Sequence, residues 1–302
     1  MNEQWIVSGV CREGACDLQD MLANLVGLAR AVPGGWIELA SGAPFIAGAM
    51  PFEGTAEKAA RLRAAIAEHN LPIDAAVIPR ARFGRKRLLI SDMDSTIIGQ
   101  ECIDELADAV GLKPQISEIT ERAMRGELDF EAALTSRVAM LRGLSLGELD
   151  RTLRERITLN TGARTLIATM KAHGAATLLV SGGFTFFTSR VAQMAGFHAD
   201  LGNTLRDDGV ALTGEVGRPI LGREAKREAL IEAVEQLGAT PEDAIAMGDG
   251  ANDLDMIRAA GIGVAYKAKP LVAAEANASI QYTDLTAALF FQGYRASEIV
   301  KG

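Results

Sequence analysis

Short apolar runs alternate with amphipathic stretches along the first eighty residues. The runs QWIVSGV (4–10), GWIELA (35–40), PFIAGAMPF (44–52) and DAAVIP (74–79) have the length and composition of strands. Between them, LQDMLANLVGLARAV (18–32) and GTAEKAARLRAAIAEHN (54–70) repeat their apolar residues every three or four positions, as a helix with one buried face requires. The predicted order is βαββαβ, with Ser41-Gly42-Ala43-Pro44 as the turn between the second and third strands. The basic stretch PRARFGRKR that follows has no apolar periodicity, so residues 1–80 read as one domain and 81–87 as a linker.

From residue 88 to 302 the pattern changes. RLLI (87–90), ATLLV (176–180), AIAM (244–247) and IGVA (262–265) are unbroken apolar runs separated by long helical stretches, the mark of parallel strands buried on both faces. The expected class is α/β, a helix-covered parallel sheet behind a smaller βαββαβ domain. From about Gln100 to Thr158 only helical patterns occur, punctuated by Gly111, Pro114, Gly126 and Gly143. That insert is too long for a crossover and is expected to form a helical subdomain over one sheet edge.

Composition narrows the function. The chain has 302 residues, of which 48% are hydrophobic and only 5% aromatic, room for about two domains with a packed core. With 31 Lys and Arg against 39 Asp and Glu the net charge is −8, which disfavours coating nucleic acid or an anionic membrane. Cys11, Cys16 and Cys102 make neither a disulfide framework nor a zinc motif. The N-terminus lacks the pattern of a secretion signal, and no apolar run reaches the roughly 18 residues of a membrane span. A soluble cytoplasmic protein is expected.

Candidate chemistry gathers where these runs end. Asp92 and Asp94 directly follow RLLI, and residues two apart on an extended segment project to one side. Two converging carboxylates call for a cation, a shared proton, or both. AIAM leads into Gly248-Asp249-Gly250-Ala251-Asn252-Asp253, which brings Asp249 and Asp253 to the corresponding edge. Hard oxygen donors without a His or Cys cluster favour Mg²⁺. ATLLV ends in Ser181-Gly182-Gly183-Phe184, a hydroxyl and backbone N–H groups at the start of a helix, suited to an anion. Lys226, near the start of the helix before AIAM, opposes the helix dipole and needs an anionic neighbour. Taken singly, these residues also read as helix caps, glycine turns and a surface lysine. Together they suit phosphoryl transfer, and with no G-x-x-x-x-G-K-[ST] loop in the chain an aspartate nucleophile is the economical choice.

DMDST, SGGF, the Lys226 segment and GDGANDLDM, in that order, resemble the four motifs of the haloacid dehalogenase superfamily, most closely those of its phosphoserine phosphatases, from Arg87 onward. The resemblance implies a Rossmann-like core whose helical insert is a cap. It implies Asp92 as nucleophile and Mg²⁺ ligand, and Asp94 as general acid and then base, with its carbonyl on the metal. Ser181, Gly182 and Lys226 would hold the phosphate, and Asp249 would complete the metal site, backed by Asp253. In the cap, Glu101 would meet the substrate ammonium and Arg137 its carboxylate, with Met124 and Phe130 as an apolar wall and Asn252 also on the substrate. The implied reaction is hydrolysis of O-phosphoserine, the last step of serine biosynthesis. The N-terminal order looks like a ferredoxin-like ACT module that senses an amino acid or forms a homodimer. Without the resemblance, Met124 and Phe130 read as cap core, and Glu101 and Arg137 as surface charges. His69, His173 and His198 match no motif. Two other readings stay open: a phosphatase or phosphotransferase for another small phosphomonoester, and an amino-acid-binding regulator that no longer turns over.

Overall fold

The computed structural model describes residues 3–68, 71–124 and 127–302, without the side chains of residues 121, 123 and 124; the expectations for His69 and Met124 lie outside it. The first elements are β1 (Glu3–Arg12), α1 (Leu18–Leu28), β2 (Val32–Pro33), β3 (Ile37–Gly42), β4 (Phe45–Gly54), α2 (Ala56–Glu68), β5 (Asp74–Pro79) and β6 (Leu88–Ser91). The insert holds α3 (Cys102–Ala109), α4 (Lys113–Met124), α5 (Phe130–Met140) and α6 (Leu146–Arg156). Then come α7 (Ala163–Ala172), β7 (Ala176–Phe184), α8 (Thr185–Ala195), β8 (Ala199–Asn203), β9 (Leu205–Asp207), β10 (Leu212–Val216) and α9 (Arg223–Gln236). The chain ends with β11 (Ala244–Gly248), α10 (Leu254–Ala259), β12 (Ile262–Tyr266), α11 (Pro270–Glu275), β13 (Ala278–Ile280) and α12 (Ala287–Phe290).

Two compact units result. The first comprises residues 1–90, 161–177 and 230–302, the second residues 91–160 and 178–229.

In the first unit the strands run β2-β4-β1-β5-β13-β12-β11-β6, with β3 also on β4. The N-terminal strands pair antiparallel in the order β3-β4-β1-β5, the ferredoxin-like arrangement expected from βαββαβ. β11 and β12, the apolar runs AIAM and IGVA, pair in parallel as expected, and β13 adds parallel to β12. Alternate residues of β1 explain why that strand is buried on both faces from Trp5 to Cys11: Trp5, Val7 and Cys11 pack with Leu18, Leu22 and Leu25 of α1 and Leu62 of α2, while Ser8 on the other face donates to the Phe290 carbonyl of α12 at 3.0 Å. β5 pairs antiparallel with β13, Ala76 opposite Ala278. Asp74, 1% exposed, secures this join. Its carboxylate accepts the backbone N–H of Gln281 (2.6 Å), Tyr282 (3.0 Å) and Thr283 (2.8 Å) and the Thr283 hydroxyl. Residues 80–87 are pinned as well: Arg82 pairs with Glu242 at 2.8 Å, and Lys86 Nζ donates to the Glu242 carbonyl at 2.8 Å.

The second unit holds the insert and the strands after it. The two ends of the insert are bonded to each other: Ile98 bridges Leu159, and the Gln100 amide bonds Thr158 through its hydroxyl (2.9 Å) and its N–H (3.0 Å). Asp129 caps α5 by accepting the Ala132 N–H at 2.7 Å. β7 and β8 are parallel, and β9 and β10 form a hairpin. This hairpin, unforeseen in the sequence, is bonded to the α5–α6 loop: Gly143 N–H donates to Leu212 O and Leu212 N–H to Leu144 O, both at 2.8 Å.

Candidate active site

In the second unit, Asp92 emerges extended from the fully buried β6. Its Oδ1 accepts the Met93 N–H at 2.8 Å and lies 2.9 Å from Lys226 Nζ. Both side chains are deeply buried, Asp92 at 4% and Lys226 at 2% exposure. A buried carboxylate or ammonium alone costs several kcal/mol, so each is tolerable through the other. Lys226 lies in the first turns of α9, where the dipole disfavours a cation, and Asp92 is the anion that offsets this. A surface lysine is thereby excluded.

Asp94 is also extended, and Ser95 takes a left-handed conformation (φ +53°) that turns the chain sharply. The Asp94 carboxylate does not cap a helix at Thr96; its Oδ1 accepts the Cys102 N–H at the start of α3, at 3.2 Å. Burial, followed by the charge of Glu101, pushes the Asp94 carboxyl up from 3.8 to about 7, against the Cys102 bonds and Lys226, which pull it down. Glu101 is exposed and accepts the Ser95 hydroxyl at 2.6 Å. Burial, then Asp94, pushes the Cys102 thiol well up, so the thiolate is suppressed.

The Ser181–Phe184 segment differs from its expected form. It stays in β7, and α8 begins only at Thr185. Between the pairs Val180–Leu201 and Phe184–Asn203, β7 has three residues where β8 has one, so Ser181, Gly182 and Gly183 bulge out of the ladder. The Gly183 N–H donates to Ser181 Oγ at 2.9 Å. A β-carbon on Gly183 would sit 3.1 Å from both Asp94 Oδ2 and Ser181 Oγ, and one on Gly182 would sit 3.1 Å from Phe130 Cζ. The bulge therefore lies against Asp94 on one side and under the Phe130 ring, itself 40% exposed, on the other.

Arg137 is half-buried on α5, with Nε donating to the Ala133 carbonyl at 3.4 Å. Burial lowers the pKa of its guanidinium, while Asp104, Glu101 and Asp94 raise it. Three carboxylates thus lie within electrostatic reach of this half-buried cation.

One buried residue here has no counterpart in the sequence reading. Asn203, at the end of β8, donates from Nδ2 to the carbonyls of Gly182 (2.8 Å) and Leu221 (3.2 Å) and accepts the Leu221 N–H at 2.7 Å. A polar residue closing a short run was its only signal.

In the first unit, β11 delivers the second acidic loop. The Asp253 carboxylate accepts the N–H of Gly250 (3.0 Å) and Asp249 (3.2 Å), which fixes the turn that carries Asp249. A β-carbon on Gly248 would collide with that carboxylate, so the position needs glycine. Asn252 Oδ1 folds over Gly250 in the same way, and Asp249 and Asn252 are both half-buried.

Asp92 in the second unit and Asp249 and Asp253 in the first each offer carboxylate oxygens, the hard donors that suit a divalent cation such as Mg²⁺.

The chain is similar to several known proteins. A phosphoserine phosphatase of Polaromonas sp. is 46% identical over 207 residues, 67% of this chain and 88% of the relative. The crystal structure of a HAD-family hydrolase from Salmonella enterica subsp. enterica serovar Typhi superposes with a TM-score of 0.82 at 30% identity, over 95% of this chain and 98% of the other. A phospho-aspartyl intermediate analogue of phosphoserine phosphatase superposes at 0.62 with 36% identity, over 68% of this chain and 98% of that one. Residues 89–258 match the haloacid dehalogenase-like hydrolase family, and with these relatives the match establishes that the chain belongs to it.

Proposed function

We propose that this protein is a Mg²⁺-dependent phosphatase that hydrolyses O-phosphoserine through a phospho-aspartyl intermediate on Asp92. One observation carries the reading: two carboxylates two residues apart have opposite environments. Asp92 is bonded to an ammonium, while Asp94 holds its proton to about pH 7. Such a pair separates a nucleophile from an acid.

In the first half-reaction an Asp92 oxygen forms a bond to phosphorus as the bond to the serine oxygen breaks, and Asp94 gives that oxygen its proton. In the second, Asp94 takes a proton from water, whose oxygen attacks phosphorus and frees Asp92 and phosphate. Ser181, the backbone of Gly182 and Lys226 hold the phosphate oxygens, and Lys226 limits repulsion between Asp92 and the incoming dianion. Asp92, the Asp94 carbonyl and Asp249, with Asp253 behind them, would hold Mg²⁺, which when bound would supply the remaining charge neutralisation. Arg137 and Glu101 read the carboxylate and ammonium of the substrate, Phe130 and Met124 wall it in, and Asn252 adds a polar contact. This activity would complete serine biosynthesis.

Residues 1–80 form an ACT-like regulatory or homodimerising module in this proposal, and 81–87 its connection to the phosphatase. The free thiols of Cys11, Cys16 and Cys102 agree with a cytoplasmic setting, and no helix among the described residues is long and apolar enough to cross a membrane. The test is phosphate release from a panel of small phosphoesters with Mg²⁺ and with chelator. Phosphoserine should be turned over fastest, and only with the metal. Equal turnover of esters lacking the amino-acid head would overturn the assignment.

A further inference from the structure

The Ser181–Gly183 bulge is an unusual object to hold still. It has left the β7 ladder, it contains two glycines, and its own internal bond runs from Gly183 N–H to Ser181 Oγ. Asn203 stands at the register pair that closes it, opposite Phe184. At 1% exposure, its carboxamide uses both N–H donors and its oxygen on backbone groups. One N–H fastens the Gly182 carbonyl at the crest of the bulge. The other groups grip both the N–H and the carbonyl of Leu221, as a neighbouring strand would. Leu221 lies two residues before the start of α9, whose Lys226 reaches Asp92 at 2.9 Å. A single side chain therefore joins the bulge to the root of the lysine helix.

We infer that Asn203 is a positioning residue that fixes the spacing between the Ser181–Gly183 bulge and Lys226, and thereby the fit of the cradle to a tetrahedral phosphate. This rests on the proposed phosphate role of Ser181, Gly182 and Lys226. The Asn203 carboxamide bonds backbone on both sides of the cradle, so its effect should concentrate on phosphate affinity rather than on recognition of the amino-acid head. The amide is needed as an amide. Asn203→Asp would keep the acceptor for Leu221 N–H but would lose both donors and set a carboxylate against two carbonyls.

The test uses the full chain with Asn203→Ala and the isosteric Asn203→Asp. Circular dichroism and thermal melting report the fold, inhibition by inorganic phosphate reports the cradle, and inhibition by serine reports the head-group site. Turnover of phosphoserine and of p-nitrophenyl phosphate completes the set. Both variants are expected to raise the inhibition constant of phosphate about tenfold or more, with a matching rise in KM for both esters, and to leave serine inhibition within about twofold. Should Asn203→Ala fail to fold, Asn203→Asp carries the test, and two aggregated variants would overturn the inference in favour of a purely structural role. Wild-type phosphate inhibition in a folded variant, or equal losses for phosphate and serine, would overturn it too. The unmutated protein is the control. If it hydrolyses phosphoserine and binds phosphate while the variants match it, only this inference falls; if it does neither, the functional reading fails and takes this inference with it.

Discussion

Asp94→Asn should stabilise the metal-free protein, and by an amount that depends on pH. The Asp94 carboxyl ionises near pH 7 in the native state against an ordinary 3.8, because it is buried and faces Glu101. At about 1.4 kcal/mol per pH unit, that displacement corresponds to about 4 kcal/mol. The side chain keeps some solvent exposure, so an expected range of about 2–4 kcal/mol is appropriate. Its sign is fixed by proton binding. Well below pH 3.8 the carboxyl is protonated in both the native and unfolded chains and costs nothing. Between about 4 and 7 the unfolded chain releases the proton and the native one retains it, so native stability falls as pH rises. Above 7 both are ionised and the loss is complete. Asparagine keeps the shape and the acceptor for the Cys102 N–H but has no charge to bury. Urea unfolding of both proteins in chelator, from pH 4.5 to 8.5, should give curves that diverge with pH and run parallel above about 7.5. A constant separation over that range would refute the argument, since it would mean that Asp94 is not held protonated. The same substitution should abolish turnover.

Arg137→Ala should lower kcat/KM for phosphoserine by about 30-fold or more, the cost of roughly 2–5 kcal/mol for a carboxylate left without its partner, and should change phosphoethanolamine turnover much less. Glu101→Ala should impair both substrates, since both carry an ammonium; equal losses on Arg137→Ala would assign that residue to organising the cap instead. Asp74→Ala strands three backbone N–H groups and should destabilise the protein by about 3–5 kcal/mol, read as a lower urea midpoint, with Asp74→Asn intermediate. A truncated protein starting near Ala81 uncovers the β13 edge and should lose solubility or stability more than it loses turnover in whatever remains folded.

Much of this was legible in the sequence because it is local. β6, β11 and β12 are continuous apolar runs, and Asp92, Asp94 and Asp249 follow their strands directly, so chain order alone places them. The helical insert was readable for a related reason: the stretch from about Gln100 to Thr158 carries one periodicity, and α3 to α6 lie in it. The shape of the Ser181–Gly183 segment was not, because a glycine pair after an apolar run reads equally as a helix entry or a bulge. Pairing with β8 decides it, and the ADLGN sequence of β8 has too few apolar residues to announce a strand. Asp74 and Asn203 were missed on similar grounds. Each is a lone polar residue at the end of a strand, and each takes its meaning from partners far away, about 207 residues on for Asp74 and 18 to 21 residues away for Asn203. The pairing of Lys226 with Asp92 follows the same logic, but there the conflict with the helix dipole left a trace in the sequence.

In the proposed reaction the phosphoryl group passes through Asp92. Protein turning over phosphoserine with Mg²⁺ should be quenched in acid and treated with borohydride, which reduces an aspartyl phosphate to homoserine, and then digested for mass spectrometry of the peptide containing residues 88–97. Homoserine is expected at position 92 only when phosphoserine and Mg²⁺ are both present, and none in Asp92→Asn, which should also release no phosphate. Unmodified Asp92 in protein caught during steady turnover, or near-normal phosphate release by Asp92→Asn, would contradict it.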